Sequence, residues 1–171
     1  MSDDGHAATP VAGRRMTSSE LTVWRTLIDT TAELRRILGA QLLQDSGLSP
    51  ADYQVLLALS EAAGRRLRSS ELAAIIGWER SRLSHHLNRM ERRGLIGRNH
   101  CATDSRGSEV SLTDDGARMF SGATLPHLRA IKRHFTDALT PEQVEALADV
   151  LRALQSHLHP EPTTRVEEKR P

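Results

Sequence analysis

Residues 69–94, SSELAAIIGWERSRLSHHLNRMERRG, constrain the fold more than any other part of the chain. Ser69 or Ser70 is placed to cap a short helix, ELAAII, and Gly77 to stop it, because glycine readily enters the left-handed conformation that ends many helices. A second helix follows after a tight turn and ends at Gly94. Two short helices joined by a glycine turn make a helix-turn-helix. In the second of them Leu83, Leu87 and Met90 form a narrow inner stripe at i, i+4 and i+7. Ser81, His85, Asn88, Arg89 and Arg92 lie opposite, with Arg82 and Ser84 on the flanks. No carboxylate falls on that outer face. A merely solvated helix face ordinarily mixes charge signs, whereas this one offers side chains that donate to phosphates and to base edges in a major groove. The nucleic-acid reading is favoured over the solvated one.

The rest of the ordered chain also reads as helix. Residues 19–45 place Leu21, Trp24, Ile28, Thr31, Leu34, Leu38 and Leu42 on one stripe, with Gly47 as the stop. Ser49 and Pro50 open a second helix in which Val55, Leu56, Leu57 and Leu59 are apolar all round, so it is expected to be buried. The alternation of Glu109, Val110, Ser111 and Leu112 is a strand pattern, and it belongs to a small hairpin whose tip carries Asp104 and Arg106. Thr113 is the expected N-cap of helix five, 114–137, with Asp114 and Asp115 at its positive end. Phe120, Leu128, Ile131 and Phe135 make its apolar face, and Gly122 and Pro126 predict a kink. Thr140, Pro141, Glu142 and Gln143 form a capping box for helix six, where Val144, Leu147, Leu151, Leu154 and Leu158 hold a heptad-like seam. A lone chain lacks the mass to cover it.

Composition narrows the function classes. A chain of 171 residues suits one domain, or one domain with helical extensions. No apolar run approaches the roughly 20 residues of a membrane span, and MSDDGHAATP has no signal-peptide pattern, so a cytoplasmic location and no membrane partner are expected. The net charge of +1 hides a local excess: 79–106 carries seven arginines against Glu79, Glu91 and Asp104. That imbalance suggests an anionic partner. The single cysteine, Cys101, excludes an internal disulfide, and His85, His86 and His100 lack the partners of a metal site. No catalytic motif appears, so an enzyme, a cofactor or a metal is not expected.

ELAAIIGWERSRLSHHLNRMERRGLIGR followed by DSRGSEVSLTDDG resembles the MarR family of winged helix-turn-helix regulators, whose members carry a D-x-R wing tip and then a strand ending in Leu-Thr. The resemblance runs from about residue 20 to 158 and is densest over 69–116. Two positions depart from the family: Glu79 stands where an N-cap Ser, Thr, Asp or Asn is common, and Trp78 is bulky for the turn.

The resemblance implies a mainly α fold of about six helices with a small β-hairpin wing, in a bacterial, non-enzymatic transcription regulator. The DNA-binding lobe would span about 49–113, and helices at about 19–45, 114–137 and 140–158 would intertwine with a second copy. Residues 18–158 would then be the regulator domain, with disordered segments at 1–17 and 159–171. Strands 95–98 and 109–112 would form the wing, whose Arg106 enters the minor groove, with Asp104 fixing the loop by pairing with Arg106 or with an arginine of the recognition helix; a solvated Arg106 is the alternative. The DNA-binding set is then Ser69, Ser70, Arg80, Ser81, Arg82, Ser84, His85, Asn88, Arg89, Asp104 and Arg106. The expected partners are double-stranded DNA with a palindromic operator and a second copy of the chain. The expected activity is repression relieved by a small-molecule effector, with Trp24, Arg25 and His134 as ligand-binding residues. The alternative is a regulator with no effector, controlled by its concentration or by a protein partner. His127 and His134 share a face of helix five, as cavity or interface residues.

Overall fold

The computed structural model describes residues 14–100 and 108–160, and the chain divides into two compact units, 1–37 and 38–171. Helix α1, Ser18–Ser46, runs from the first into the second. In the first unit, Thr17 and Glu20 build the start of α1: the Thr17 hydroxyl accepts from the Glu20 N–H, 3.2 Å, while the Glu20 carboxylate accepts from the Thr17 N–H, 2.6 Å. This reciprocal cap satisfies two otherwise unpaired donors. Leu21, Val23, Trp24, Leu27 and Ile28 along this part of α1 are exposed.

The second unit holds the core. Helix α2, Pro50–Glu61, starts at Ser49, whose hydroxyl accepts from the Asp52 N–H while the Asp52 carboxylate accepts from the Ser49 N–H. Val55, Leu56 and Leu59 are fully buried, as the sequence predicts, but Leu57 is 37 % exposed: the helix is buried on three sides and wet on the fourth. A short 3-10 turn leads into β1, Arg66–Arg68, then helix α3, Ser69–Ile76, and helix α4, Arg80–Arg92. Strands β2, Ile96–His100, and β3, Ser108–Leu112, complete an antiparallel sheet in the order β1-β3-β2. The expected hairpin is present. Its third strand, β1, is an addition: Leu67 pairs with Val110 and Arg68 with Glu109.

Helix α5, Asp114–His134, is followed by a 3-10 turn at Thr136–Ala138, and helix α6, Pro141–Leu158, closes the fold. Thr113 and Thr140 are N-caps, as their sequence positions predict. The sequence predicts helix five to run to 137; it ends at His134. It continues without interruption through Gly122 and Pro126. Its buried positions are Gly116, Ala123 and Ala130, whereas Leu128, expected on the apolar face, is 53 % exposed. On α6 no residue is buried, and Leu151, Leu154 and Leu158 of the seam stand exposed.

Among the described glycines, Gly116 marks the tightest approach. A Cβ there would lie 2.0 Å from the Leu95 carbonyl oxygen, so only glycine lets α5 meet the turn after α4 so closely.

Candidate nucleic-acid interface

The α3–turn–α4 unit is held from both sides. Gly77, at φ 67°, ends α3 in the left-handed conformation, and its N–H and that of Trp78 return to the carbonyls of Ala74 and Ala73. The Gln54 amide of α2 donates to the Ile76 carbonyl, 3.2 Å. Leu83, Leu87 and Met90 of α4 are almost completely buried, as their stripe predicts. The opposite face therefore has one orientation relative to the core: outward.

Every predicted position on that face is exposed: Arg80, Ser81, Arg82, Ser84, His85, Asn88 and Arg89. Not all of them are free. The Arg82 guanidinium lies 4.4 Å over the centroid of the Trp78 ring, which explains why a bulky residue suits the turn: it is a platform for an arginine. Arg89 donates to His86 Nδ1, 2.9 Å. Ser69 and Ser70 occupy the first turn of α3, and the helix begins after Arg68, so neither serine is the N-cap that the sequence suggested. The cap interaction comes instead from Glu71, whose carboxylate accepts from the Arg68 N–H. That leaves Ser69 to bond across the lobe, with its hydroxyl 2.8 Å from the Ser108 carbonyl and 2.7 Å from the Ser108 hydroxyl.

Ser69, Ser70, Arg80, Ser84, Arg98 and Ser108 rim a cleft of about 180 Å³ floored by Leu83 and Leu87. Among the described residues the rim carries arginines and hydroxyls and no carboxylate. Asp104, Arg106 and Cys101 lie outside the described residues; β2 and β3 end at His100 and Ser108 on either side of them. Of the residues expected to bind a ligand, Trp24 and Arg25 lie exposed on α1 in the first unit and His134 is exposed at the end of α5 in the second.

The sequence did not point to the groups that set α4 on its base. Asp52 is 2 % exposed, and burial pushes its pKa up. His86, Arg93 and Ser49 more than reverse that push and hold the carboxyl well below the usual carboxylate range. Arg93 Nη1 donates to Asp52 Oδ2, 2.7 Å, and its Nη2 to the Gly47 carbonyl, 3.0 Å. His86 Nε2 lies 3.1 Å from Asp52 Oδ1 as an electrostatic neighbour rather than a well-aligned hydrogen bond. His86 itself is buried, with its ring edge-on to Trp78 at 5.3 Å. His85 and His86 thus point to opposite environments. The only sequence signal for this cluster is the S-x-x-D spacing of Ser49 and Asp52.

A helix-turn-helix with a small antiparallel hairpin beside it is shared with known proteins. AbsC, a MarR family transcriptional regulator from Streptomyces coelicolor, is 36 % identical, with a TM-score of 0.77 over 85 % of this chain and 98 % of AbsC. The chain belongs to the MarR family. The MarR family model itself matches residues 46–107, the lobe that contains α2 to β2. Sco3205, a MarR family regulator from the same organism solved in complex with DNA, is also 36 % identical, with a TM-score of 0.79 over 86 % of this chain and 92 % of Sco3205. The HTH-type transcriptional repressor MdtR of Bacillus subtilis is 30 % identical over 108 residues, 63 % of this chain and 68 % of MdtR. As a MarR-family protein the chain is a transcriptional regulator and not an enzyme. No helix among the described residues is long and apolar enough to cross a membrane.

Proposed function

We propose that this MarR-family chain works as a homodimeric repressor that binds a palindromic operator, with α4 in the major groove and the wing in the minor groove. The observation that carries the proposal is the outer face of α4, exposed from Arg80 to Arg89 and free of carboxylates. Ser81, Arg82, Ser84, His85 and Asn88 are the base-reading residues in this account, and Ser70 and Arg80 at the two helix starts serve phosphates, while Ser69, expected among them, has its hydroxyl proton committed to the Ser108 carbonyl. Sco3205, solved with DNA, and MdtR, named as a repressor, support the assignment. The exposed apolar residues of α1, α5 and α6 support a second copy of this chain as the other partner. Two-fold symmetry then spaces the half-sites by roughly 10 base pairs.

Selection from a random duplex library by the full-length protein tests this reading. The expected product is an inverted repeat bound by two chains; recovery of no common sequence, or of a single half-site bound by one chain, contradicts it. An effector would relieve binding by preferring the DNA-free state. Its affinity must then fall on DNA by the same factor by which it weakens DNA binding. A screen of small aromatic acids by thermal shift, with and without operator, separates this from control by concentration or a protein partner.

A further inference from the structure

Arg98 has no role in the functional reading above, yet its side chain bridges two other elements, α4 and β3. It lies within β2, opposite Val110 of β3. Its Nη1 donates to the Asn88 side-chain oxygen on α4, and its Nη2 donates to the Ser108 hydroxyl at the start of β3, 3.3 Å. Ser108 is in turn bonded to Ser69 of α3. The guanidinium is half-buried, with Nε shielded from solvent and without a hydrogen-bond partner among the described residues. An arginine has donors only, so the amide that binds it has one orientation: oxygen toward Arg98, amine away. Asn88 sits on the exposed face of α4, and its amine has no partner among the described residues.

We propose that Arg98 is a positioning residue for base reading, which holds the Asn88 amide with its oxygen inward so that only its N–H donors face the groove. The inference rests on the DNA-binding reading of α4 and deepens it. An unconstrained asparagine pairs best with adenine, accepting from N6 and donating to N7. A donor-only asparagine loses that match. It selects a base edge made of acceptors, and guanine, with N7 and O6 side by side in the major groove, offers two. The bond to Ser108 ties the same guanidinium to the wing, so the wing and the reading residue hold one register.

The test is library selection by the full-length protein and by Asn88→Ala, Asn88→Asp, Arg98→Ala and Arg98→Lys, with melting curves for each. Asn88→Ala marks the base position that Asn88 reads, because preference is lost there. At that position wild type is expected to favour guanine. Arg98→Ala should shift the guanine-to-adenine ratio toward adenine by about tenfold, and Arg98→Lys, which keeps a donor for the Asn88 oxygen, should retain guanine. Asn88→Asp keeps the contact with Arg98 but carries no donor, so it should lose guanine whether or not Arg98→Ala folds. Adenine preference in wild type, an unchanged preference in a folded Arg98→Ala, or guanine retained by Asn88→Asp overturns the proposal. A wild type that enriches a site whose preferences Asn88→Ala leaves intact removes this proposal alone. A wild type that enriches nothing removes the DNA-reading function as well.

Discussion

Asp52 serves two structures with one carboxylate: it completes the cap of α2 and anchors Arg93 beyond the end of α4. Asp52→Asn would leave Arg93 and His86 facing a neutral amide, and should cost about 3 kcal/mol in chemical denaturation at neutral pH. The pH dependence follows from the depressed pKa. The stabilisation from Asp52 is fully present above the ordinary carboxylate value of about 4, and is lost as pH falls below it toward the folded value. The stability difference between wild type and Asp52→Asn should therefore narrow below about pH 4; a difference that is flat down to pH 2.5 would contradict the pairing. His127 packs against Tyr53 at 4.8 Å with its Nδ1 buried and unpartnered among the described residues, and burial lowers its pKa. Its contribution is present above the ordinary histidine value of about 6.5 and lost as pH falls through the folded value. His127→Gln should lose that part of the acid sensitivity, measured as the change in midpoint between pH 7.5 and 5. At Gly116 the obstacle is backbone, which cannot rotate away: Gly116→Ala should destabilise by about 2 kcal/mol or more, seen in thermal melts, and weaken the junction of α5 with the lobe.

At the scale of elements, helix ends are legible in the sequence because short polar side chains announce them. Ser49, Thr113 and Thr140 each accept from a backbone N–H three residues on, and Gly77 and Gly94 take positive φ where the chain must turn. Ser69 and Ser70 carry the same signal and mislead, because Glu71 performs the capping and Ser69 is drawn to Ser108, 39 residues away. Strand β1 is not legible at all: three residues have no periodicity, and their extended form comes from pairing with β3. The same holds for Arg98 and Asp52, whose roles are set by partners 10 and 41 residues distant. The stripe on α4 was legible because one helix holds both its faces. For the wing, the prediction rests on sequence alone, since Arg106 lies outside the described residues. Arg106→Ala should cost about 1 to 3 kcal/mol of operator affinity and flatten preference for A·T pairs flanking the half-sites, with little rescue by Arg106→Lys. A titration against operators randomised at the flanks checks this; wild-type affinity for every flank would make the wing a bystander.

At the scale of the whole molecule, the apolar surfaces of α1, α5 and α6 and the basic face of α4 demand different partners. Leu151, Leu154 and Leu158 are 45 % to 68 % exposed, the seam that the proposed second copy would cover. Sedimentation equilibrium at micromolar concentration should give a dimer, and Leu151→Glu with Leu154→Glu should give monomers with weakened operator binding. A dimer neutralising on the order of 6 to 10 phosphates should lose about 10³-fold or more in affinity between 50 and 200 mM salt. The central claim is that the outer face of α4 meets DNA, and one titration tests it most directly. The Ser84→Glu, His85→Glu double variant puts two carboxylates on a face that has none, at exposed positions where the fold has nothing to lose. With melting curve and dimer unchanged, its affinity for the selected operator should fall by at least about 100-fold, because like charges brought together at an interface cost several kcal/mol. Binding within twofold of wild type would mean that α4 faces water and that DNA is held elsewhere.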